Sequence, residues 1–427
     1  MTADDEERRA RAVWSATVEP GDQAAGALVH ALGAAPAGAW VGAASRGAPD
    51  WTVLPGLSGT SRMRLLEAAR RWVARAAAAP VGDLLAALDL ACGALVVPGD
   101  DDWPTGMDDL GDAAPFALWI RGALPVGRPG VAVVGSRAST SYGDRVAFDL
   151  AHGLVGRGAA VVSGGAYGID AAAHRGAIAG DGPTVVVLAG GVDRGYPAGN
   201  VRLFEEAVGA GGAVVSEMPP GALPTKSRFL QRNRLIAALT RATVVVEAAW
   251  RSGALSTAHH AADLMRPVGA VPGPVTSVAS AGCHRLLREG AAVCVTDVDE
   301  VVELLPGGRA ASQGVVVADG GHGSVGDDRR GAGGEGRPGP LAVGGPGTAV
   351  DGREGLVAAA DAPWLDPSCL RVHDALSLRA GTSVDVLARR ADLDTDRVRS
   401  ALGLLEMAGL AVRRDDGWRA ARSSGAR

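Results

Sequence analysis

Short apolar runs separated by helix-length segments dominate the middle of the chain. The runs begin near Val131, Ala160, Thr184, Ala213, Thr243, Val268 and Ala292. Their apolar residues are continuous, as in 131–134 and 185–188, which is typical of parallel strands covered on both faces. Seven such strands alternating with helices predict a Rossmann-like, doubly wound α/β core with a mostly parallel sheet. Earlier runs at 94–97 and 117–120 should add edge strands, so the predicted core occupies 82–305.

The two flanks of this core follow other patterns. Residues 1–80 predict a small helical domain of alanine-rich helices, with turns at 19–22 and 54–59. The second turn, Leu-Pro-Gly-Leu-Ser-Gly, fits either a helix-hairpin-helix phosphate contact or an ordinary turn. Segment 306–360 holds 17 glycines in 55 residues and no aromatic residue, so we expect a flexible, disordered linker. Residues 361–427 predict three helices and a β-hairpin, the order of a winged helix.

Composition narrows the possible functions. The net charge of −5 means that any nucleic-acid binding must use a local basic patch. Aromatic residues make up only 4% of the chain, so base stacking would rest on one or two rings. The four cysteines form no CxxC pair, which favours a reducing compartment without a metal site or disulfide framework. The start of the chain is charged and no apolar run is long enough for a membrane span, so we expect a cytoplasmic protein.

The first core strand ends in Gly135, Ser136 and Arg137, directly before a predicted helix. Free backbone N–H groups and the positive end of the helix dipole suit a phosphate at such a turn, and Arg137 would add a charged fork. The alternative is the plain turn that any doubly wound protein has here. The loop is neither GxGxxG nor GxxxxGK[ST], which argues against dinucleotide binding and nucleoside triphosphate hydrolysis.

The second core strand is followed by a glycine-rich loop and a helix that carries Asp170 and His174 on one face. A catalytic dyad is one interpretation of this pair. The other is a structural role, in which the aspartate accepts N–H groups near the helix start. No other acid/base pair, nucleophile motif or metal-ligand spacing is visible, so no cofactor is expected.

A basic window spans 222–254. It contains Lys226, Arg228, Arg232, Arg234, Arg241 and Arg251 against one acid, Glu247. Lys226 is the only lysine in the chain, and Phe229 places a ring beside it. A basic groove with an aromatic ring is what a single strand of nucleic acid needs, although a solvated basic helix has the same composition. Ser252 is set to cap the next helix and to offer its N–H groups to a second phosphate.

These segments resemble the DNA-processing protein A (DprA/Smf) family. The resemblance is carried by Val-Gly-Ser-Arg at 134–137, Ser-Gly-Gly-Ala-Tyr-Gly-Ile-Asp-Ala-Ala-Ala-His at 163–174, Tyr-Pro-Ala-Gly-Asn at 196–200, Gln-Arg-Asn-Arg at 231–234, Arg-Ser-Gly-Ala-Leu-Ser-Thr-Ala at 251–258, Val-Pro-Gly at 271–273 and Gly-Cys-His-Arg-Leu at 282–286. Two positions depart from the family pattern. Tyr167 stands where an arginine is common, and Leu230 replaces a frequent proline.

The resemblance implies a homodimer without enzymatic activity that binds single-stranded DNA. Such a protein protects the strand and helps to load the RecA recombinase during natural transformation or related recombination. The DNA-binding residues implied here are Gly135, Ser136, Arg137, Ser163, Gly164, Lys226, Phe229, Arg232, Asn233, Arg234, Ser252 and Gly253.

Two other functions remain open. A nucleotide-cleaving enzyme of the lysine-decarboxylase-like phosphoribohydrolase group would share the Rossmann-like core, but the PGGxGTxxE loop of that group is absent. A transcription regulator would use the winged helix on DNA and the core for dimerisation. The nearly balanced charge of residues 361–427 fits a protein contact as well as a DNA contact.

Overall fold

The computed structural model describes residues 3–76, 80–306, 367–377, 381–391, 393–407, 411–414 and 417–420. The helices up to residue 306 are α1 (Ala3–Thr17), α2 (Gln23–Leu32), α3 (Ala34–Ser45), α4 (Gly59–Ala76), α5 (Val81–Leu90), α6 (Ser141–Gly156), α7 (Ile169–Ala179), α8 (Val201–Gly209), α9 (Lys226–Leu239), α10 (Gly253–Asp263), α11 (Ala281–Arg288) and α12 (Val298–Glu303). The strands are β1 (Gly93–Val96), β2 (Leu118–Gly122), β3 (Gly130–Val134), β4 (Ala160–Ser163), β5 (Thr184–Val187), β6 (Ala213–Ser216), β7 (Ala242–Val245), β8 (Val268–Ala270) and β9 (Val293–Cys294).

All nine strands form one sheet in the order β1-β2-β6-β5-β4-β3-β7-β8-β9. The seven strands in the order β6-β5-β4-β3-β7-β8-β9 pair in parallel, which confirms the predicted doubly wound, mostly parallel sheet. Strands β1 and β2 extend one edge in antiparallel pairing, as expected from the two earlier apolar runs. The order reverses between β3 and β7, which makes their carboxyl ends the topological switch point where doubly wound proteins bind ligands.

Both faces of the sheet are buried, which explains the continuous apolar runs. Val131 and Val133 of β3 pack with Leu150 and Leu154 of α6 on one face. The alternate residues of β3 pack on the other face, in a cluster with α9 and α10. A strand has a side-chain period of two, so each of its residues meets an apolar layer when helices cover both sides.

The N-terminal helices α1 to α4 pack around a separate apolar cluster that includes Trp14, Trp40 and Trp72. A turn at Pro55 and Gly56 lies in the 54–59 segment, and α4 begins at its end. No helix among the described residues is by itself long and apolar enough to cross a membrane, although the bent pair α2 and α3 together meets that test.

Contacts divide the chain into two compact units, residues 1–319 and 320–427. The second unit contains α13 (Pro367–Ala375), α14 (Val384–Ala391) and α15 (Thr395–Met407), then an antiparallel hairpin of β10 (Ala411–Arg414) and β11 (Gly417–Ala420). Three helices and a hairpin make the winged helix that the pattern predicted. The predicted linker falls almost wholly within 307–366, outside the described residues, and the exact domain boundaries stay a prediction.

A chain shortened to residues 1–306 is expected to fold alone, because the apolar clusters of the sheet and of the N-terminal helices lie within it. Differential scanning calorimetry should show one unfolding transition fewer for the shortened chain than for the full chain. The transition of the larger unit should keep its midpoint temperature. Loss of all cooperative unfolding in the shortened chain would show that the second unit is needed for folding.

Candidate nucleic-acid interface

A pocket of about 270 Å³ opens at the switch point between β3 and β7. Its walls come from the β3–α6 loop, α9 and the start of α10. The lining residues include Gly135, Ser136, Arg137, Asp170, Phe229, Arg232, Asn233, Ser252, Gly253 and Thr257. The pocket therefore brings together most of the residues that the sequence analysis singled out.

The backbone fixes the β3–α6 loop at the base of this pocket. The Ser136 N–H donates to the Glu247 carbonyl over 2.7 Å, which ties the loop to the end of β7. A Cβ at Gly135 would lie 2.8 Å from the same carbonyl oxygen, so only glycine fits there. Arg137 follows this fixed turn with an exposed side chain at the rim. Its charge is thus held at a defined position but remains open to solvent.

The carboxylate of Glu247 occupies the start of α6. It is buried and accepts from the Thr140 N–H at 2.9 Å and from the Thr140 hydroxyl at 2.6 Å. Gly143 in the first turn leaves room for it, since a Cβ there would overlap the carboxylate. A negative side chain at a helix N-terminus satisfies the N–H groups and the dipole that a phosphate would use. The phosphate position expected at this helix start is therefore taken by the protein itself.

The loop after β4 is held by Asp170 rather than exposed to a ligand. The Asp170 carboxylate accepts from the Gly164 N–H at 3.1 Å and from the Ala166 N–H at 3.3 Å. Burial raises the pKa of this carboxyl, and the nearby guanidinium of Arg232 opposes the rise. The Ser163 hydroxyl donates to the Val133 carbonyl at 2.7 Å and is fully buried. Ser163 and Gly164 are not among the residues that line the pocket, and their hydrogen bonds hold the loop behind that lining.

His174 has a different partner from Asp170. Its Nδ1 lies 2.7 Å from the Thr184 hydroxyl, which itself donates to the Val161 carbonyl. Burial lowers the pKa of His174 to about 3, so the ring is neutral at physiological pH. The geometry favours the structural interpretation of this pair over the catalytic dyad. No group of three or more His, Cys, Asp or Glu side chains within the described ranges is arranged to hold a metal ion.

Three of the six basic residues in the window, Arg228, Arg232 and Arg234, have partners within the protein. Arg232 is buried and donates to the carbonyls of Gly164, at 2.8 Å, and Val187. Burial lowers the pKa of its guanidinium to about 10, which leaves it charged at neutral pH. A Cβ at Gly164 would lie 2.7 Å from this guanidinium, so glycine is required for the close approach.

Arg234 and Asn233 are also committed to internal partners. The guanidinium of Arg234 forms a bidentate pair with Glu217 at 2.8 and 2.6 Å, and both side chains are buried. The Asn233 amide donates to the Gly253 carbonyl at 3.2 Å and so links α9 to the start of α10. Arg228 pairs with Glu19 of the N-terminal segment at 3.0 Å. Lys226, Arg241 and Arg251 are the exposed members of the window.

Phe229 lies at the mouth of the pocket, in the first turn of α9, and its side chain is half-buried. The guanidinium carbon of Arg137 sits 4.9 Å from the ring centroid, and the Tyr196 ring lies 5.6 Å away. Lys226 is exposed one turn before it. The sequence analysis did not single out Tyr196 as a site residue, although it belongs to the motif at 196–200.

The start of α10 closes the other side of the pocket. The Ser252 hydroxyl accepts from the Ala254 N–H at 3.3 Å, as a helix cap should. Gly253 is exposed at the first helical position and lines the pocket. In contrast to α6, no side-chain carboxylate is among the hydrogen-bond partners described for this helix start. Its N–H groups and dipole can receive an anion beside Arg137.

Comparisons with known proteins show the family to which the chain belongs. The family model of DNA recombination-mediator protein A matches residues 94–306, and that of the DprA winged helix domain matches residues 357–417. A Mycobacterium tuberculosis protein that carries the DprA name is 42% identical over 369 residues, which cover 83% of this chain and 82% of that protein. The chain belongs to the DprA family.

Other members of the family show the same relationship. The DNA processing protein DprA of Streptococcus pneumoniae is 40% identical over 205 residues, which cover 48% of this chain and 72% of that protein. The crystal structure of a DprA from the same species matches with a TM-score of 0.50 and 35% identity, over 56% of this chain and 82% of that one. The family match covers both the pocket-bearing sheet and the winged helix.

The Arg234–Glu217 pair is expected to stabilise the fold rather than to bind DNA. Arg234→Met should lower the free energy of unfolding by about 3 to 5 kcal/mol, because it leaves Glu217 buried without its partner. The double variant Arg234→Met with Glu217→Leu should recover most of this loss, as chemical denaturation can measure. A folded double variant that no longer binds oligo(dT) would show instead that Arg234 contacts DNA.

Proposed function

We propose that this DprA-family protein binds single-stranded DNA along the carboxyl ends of β3 and β7. The proposal rests mainly on one observation, the exposed Arg137 guanidinium over the half-buried Phe229 ring at the pocket mouth. A base can stack on the ring while the cation pairs with a neighbouring phosphate. The start of α10, with Ser252 and Gly253, receives a second phosphate.

The pocket favours a single strand over a duplex. Its volume of about 270 Å³ admits a nucleotide-sized group but not a double helix. Stacking on Phe229 requires a base whose face is free, and a paired base within a duplex has none. Gly135, Ser136, Arg137, Lys226, Phe229, Ser252 and Gly253 form the proposed contact surface. Ser163, Gly164, Arg232, Asn233 and Arg234 support it from inside.

In the cell, we propose that the protein protects incoming single strands and promotes the loading of RecA during natural transformation or related recombination. It would do so in the cytoplasm as a homodimer, without a cofactor and without catalysing a reaction. Family membership supports a part in DNA recombination. The finer steps follow from the resemblance described above.

The nucleotide-cleaving alternative has one candidate group in the pocket, Asp170. Its carboxylate already accepts two N–H groups of its own loop, so it holds the loop in place. Release of free base from nucleoside monophosphates by the purified protein would favour this alternative. If the protein were instead a transcription regulator, it would bind duplex DNA measurably, and deletion of residues 361–427 would abolish that binding.

The protein is expected to bind oligo(dT) much more tightly than a duplex of equal length. The logarithm of the affinity should fall linearly with the logarithm of the salt concentration, because several phosphates are neutralised. Fluorescence anisotropy over a salt series measures both quantities. Equal or tighter binding of the duplex would remove the proposal.

Lys226→Ala and Phe229→Ala should weaken oligo(dT) binding in different ways. Loss of the Lys226 charge should reduce the log-log salt slope by about one unit. Loss of the Phe229 ring should cost about 1 to 3 kcal/mol of binding free energy and leave the slope unchanged.

Phe229→Leu is the control for packing, because it keeps apolar bulk but removes the aromatic face. It should fold normally and bind as weakly as Phe229→Ala. A folded Phe229→Leu variant with full affinity would show that the ring is not a stacking surface.

A further inference from the structure

Trp250 is an exposed aromatic residue that the proposed contact surface does not use. It lies in the β7–α10 loop and half of its side chain, 51%, is exposed. Among the tryptophans that the structure describes, it is the exposed one, whereas Trp14, Trp40, Trp72, Trp103 and Trp119 are buried. Its neighbours Ala249 and Ser252 line the pocket. The ring therefore stands beside the DNA-binding pocket without being part of the core.

An arginine supports this ring from the neighbouring helix. The guanidinium carbon of Arg285, on α11, sits 5.3 Å from the Trp250 ring centroid. Arg285 is itself held by Glu289, with its Nε 3.0 Å from the carboxylate. A cation over an aromatic face restrains the ring and adds positive charge beside it. The same pairing of an arginine with a ring occurs at Arg137 and Phe229.

The sheet order places the two pairs along one edge. Tyr196, next to Phe229, follows β5, Arg137 follows β3, Trp250 follows β7, and Arg285 lies on the helix after β8. In the sheet order β5-β4-β3-β7-β8, four steps separate β5 from β8. With about 4.8 Å between neighbouring strands, these steps span roughly 19 Å. A stacked strand rises only about 3.4 Å per nucleotide. The edge is thus long enough for several nucleotides.

We infer that Trp250, supported by Arg285, is a second stacking platform for single-stranded DNA, on the side of the pocket opposite Phe229. This inference rests on the proposed function. A strand that has a base on Phe229 and phosphates at Arg137 and the start of α10 leaves the pocket past Trp250. The exposed Arg251 next to it pairs with the phosphate of that nucleotide. The ring stacks on any base, because every base offers a π-face.

The test compares variants against the thymidine dinucleotide, which the nucleotide-sized pocket limits to the region of Phe229 and Arg137, and against oligo(dT) of about 12 nucleotides, which extends beyond the pocket. Trp250→Ala should weaken binding of the longer oligomer about 5- to 140-fold, the range expected for one stacked base. It should leave the shorter oligomer and the salt slope nearly unchanged. Trp250→Phe should keep most of the affinity, and Trp250→Leu should lose as much as Trp250→Ala.

Trp51 supplies a matched control, because it also lies under an arginine, with the guanidinium carbon of Arg62 5.0 Å from its ring centroid. Trp51 packs with the N-terminal helices, so a folded Trp51→Leu variant should bind both oligomers like the unmodified chain. Unchanged binding of the longer oligomer by Trp250→Ala would overturn the inference while leaving the proposed function intact. The same result with an altered sedimentation mass would identify Trp250 as a contact between protein chains. If the unmodified chain binds neither oligomer, both the inference and the proposed function fail.

Discussion

The buried guanidinium of Arg232 is the interaction on which the rest of the site depends. It bonds to carbonyls at the carboxyl ends of β4 and β5, and it faces the buried carboxyl of Asp170. Asp170 in turn holds the loop after β4 through two N–H groups. A charge inside a protein is tolerated only when such partners compensate for lost hydration. This network fixes α9 against the sheet and so sets where Phe229 can stand.

Phe229 connects the buried network to the surface. The Arg232 guanidinium carbon lies 5.8 Å from its ring centroid, and that of Arg137 lies 4.9 Å away. One cation is internal and structural, while the other is exposed and available to a phosphate. The buried carboxylate of Glu247 accepts the Thr140 N–H at the start of α6, so this helix start is occupied. The start of α10 lines the pocket and can receive an anion. The protein's own carboxylates thus determine where a bound anion can lie.

The sequence predicted the fold class, whereas the partners of the individual charged residues became visible only in the structure. Continuous apolar runs are sufficient to recognise parallel strands, and the fold class is confirmed. The basic window was harder to interpret, because a count of charges does not show which of them have partners. Arg234 pairs with Glu217 and Arg228 with Glu19, and only the folded chain brings these residues together. Trp250 lies in the basic window directly before the motif at 251–258, but its exposure and its contact with Arg285 depend on tertiary packing. The roles of the individual residues in DNA binding stay predictions.

The central claim is that single-stranded DNA lies along the edge formed by the carboxyl ends of β3 and β7. Ultraviolet cross-linking of oligo(dT) to the full chain, followed by mass spectrometry of the peptides, tests it most directly. The account predicts that cross-links concentrate on the aromatic side chains of this edge, above all on Phe229. Cross-links confined to the winged helix, within residues 367–420, would contradict it.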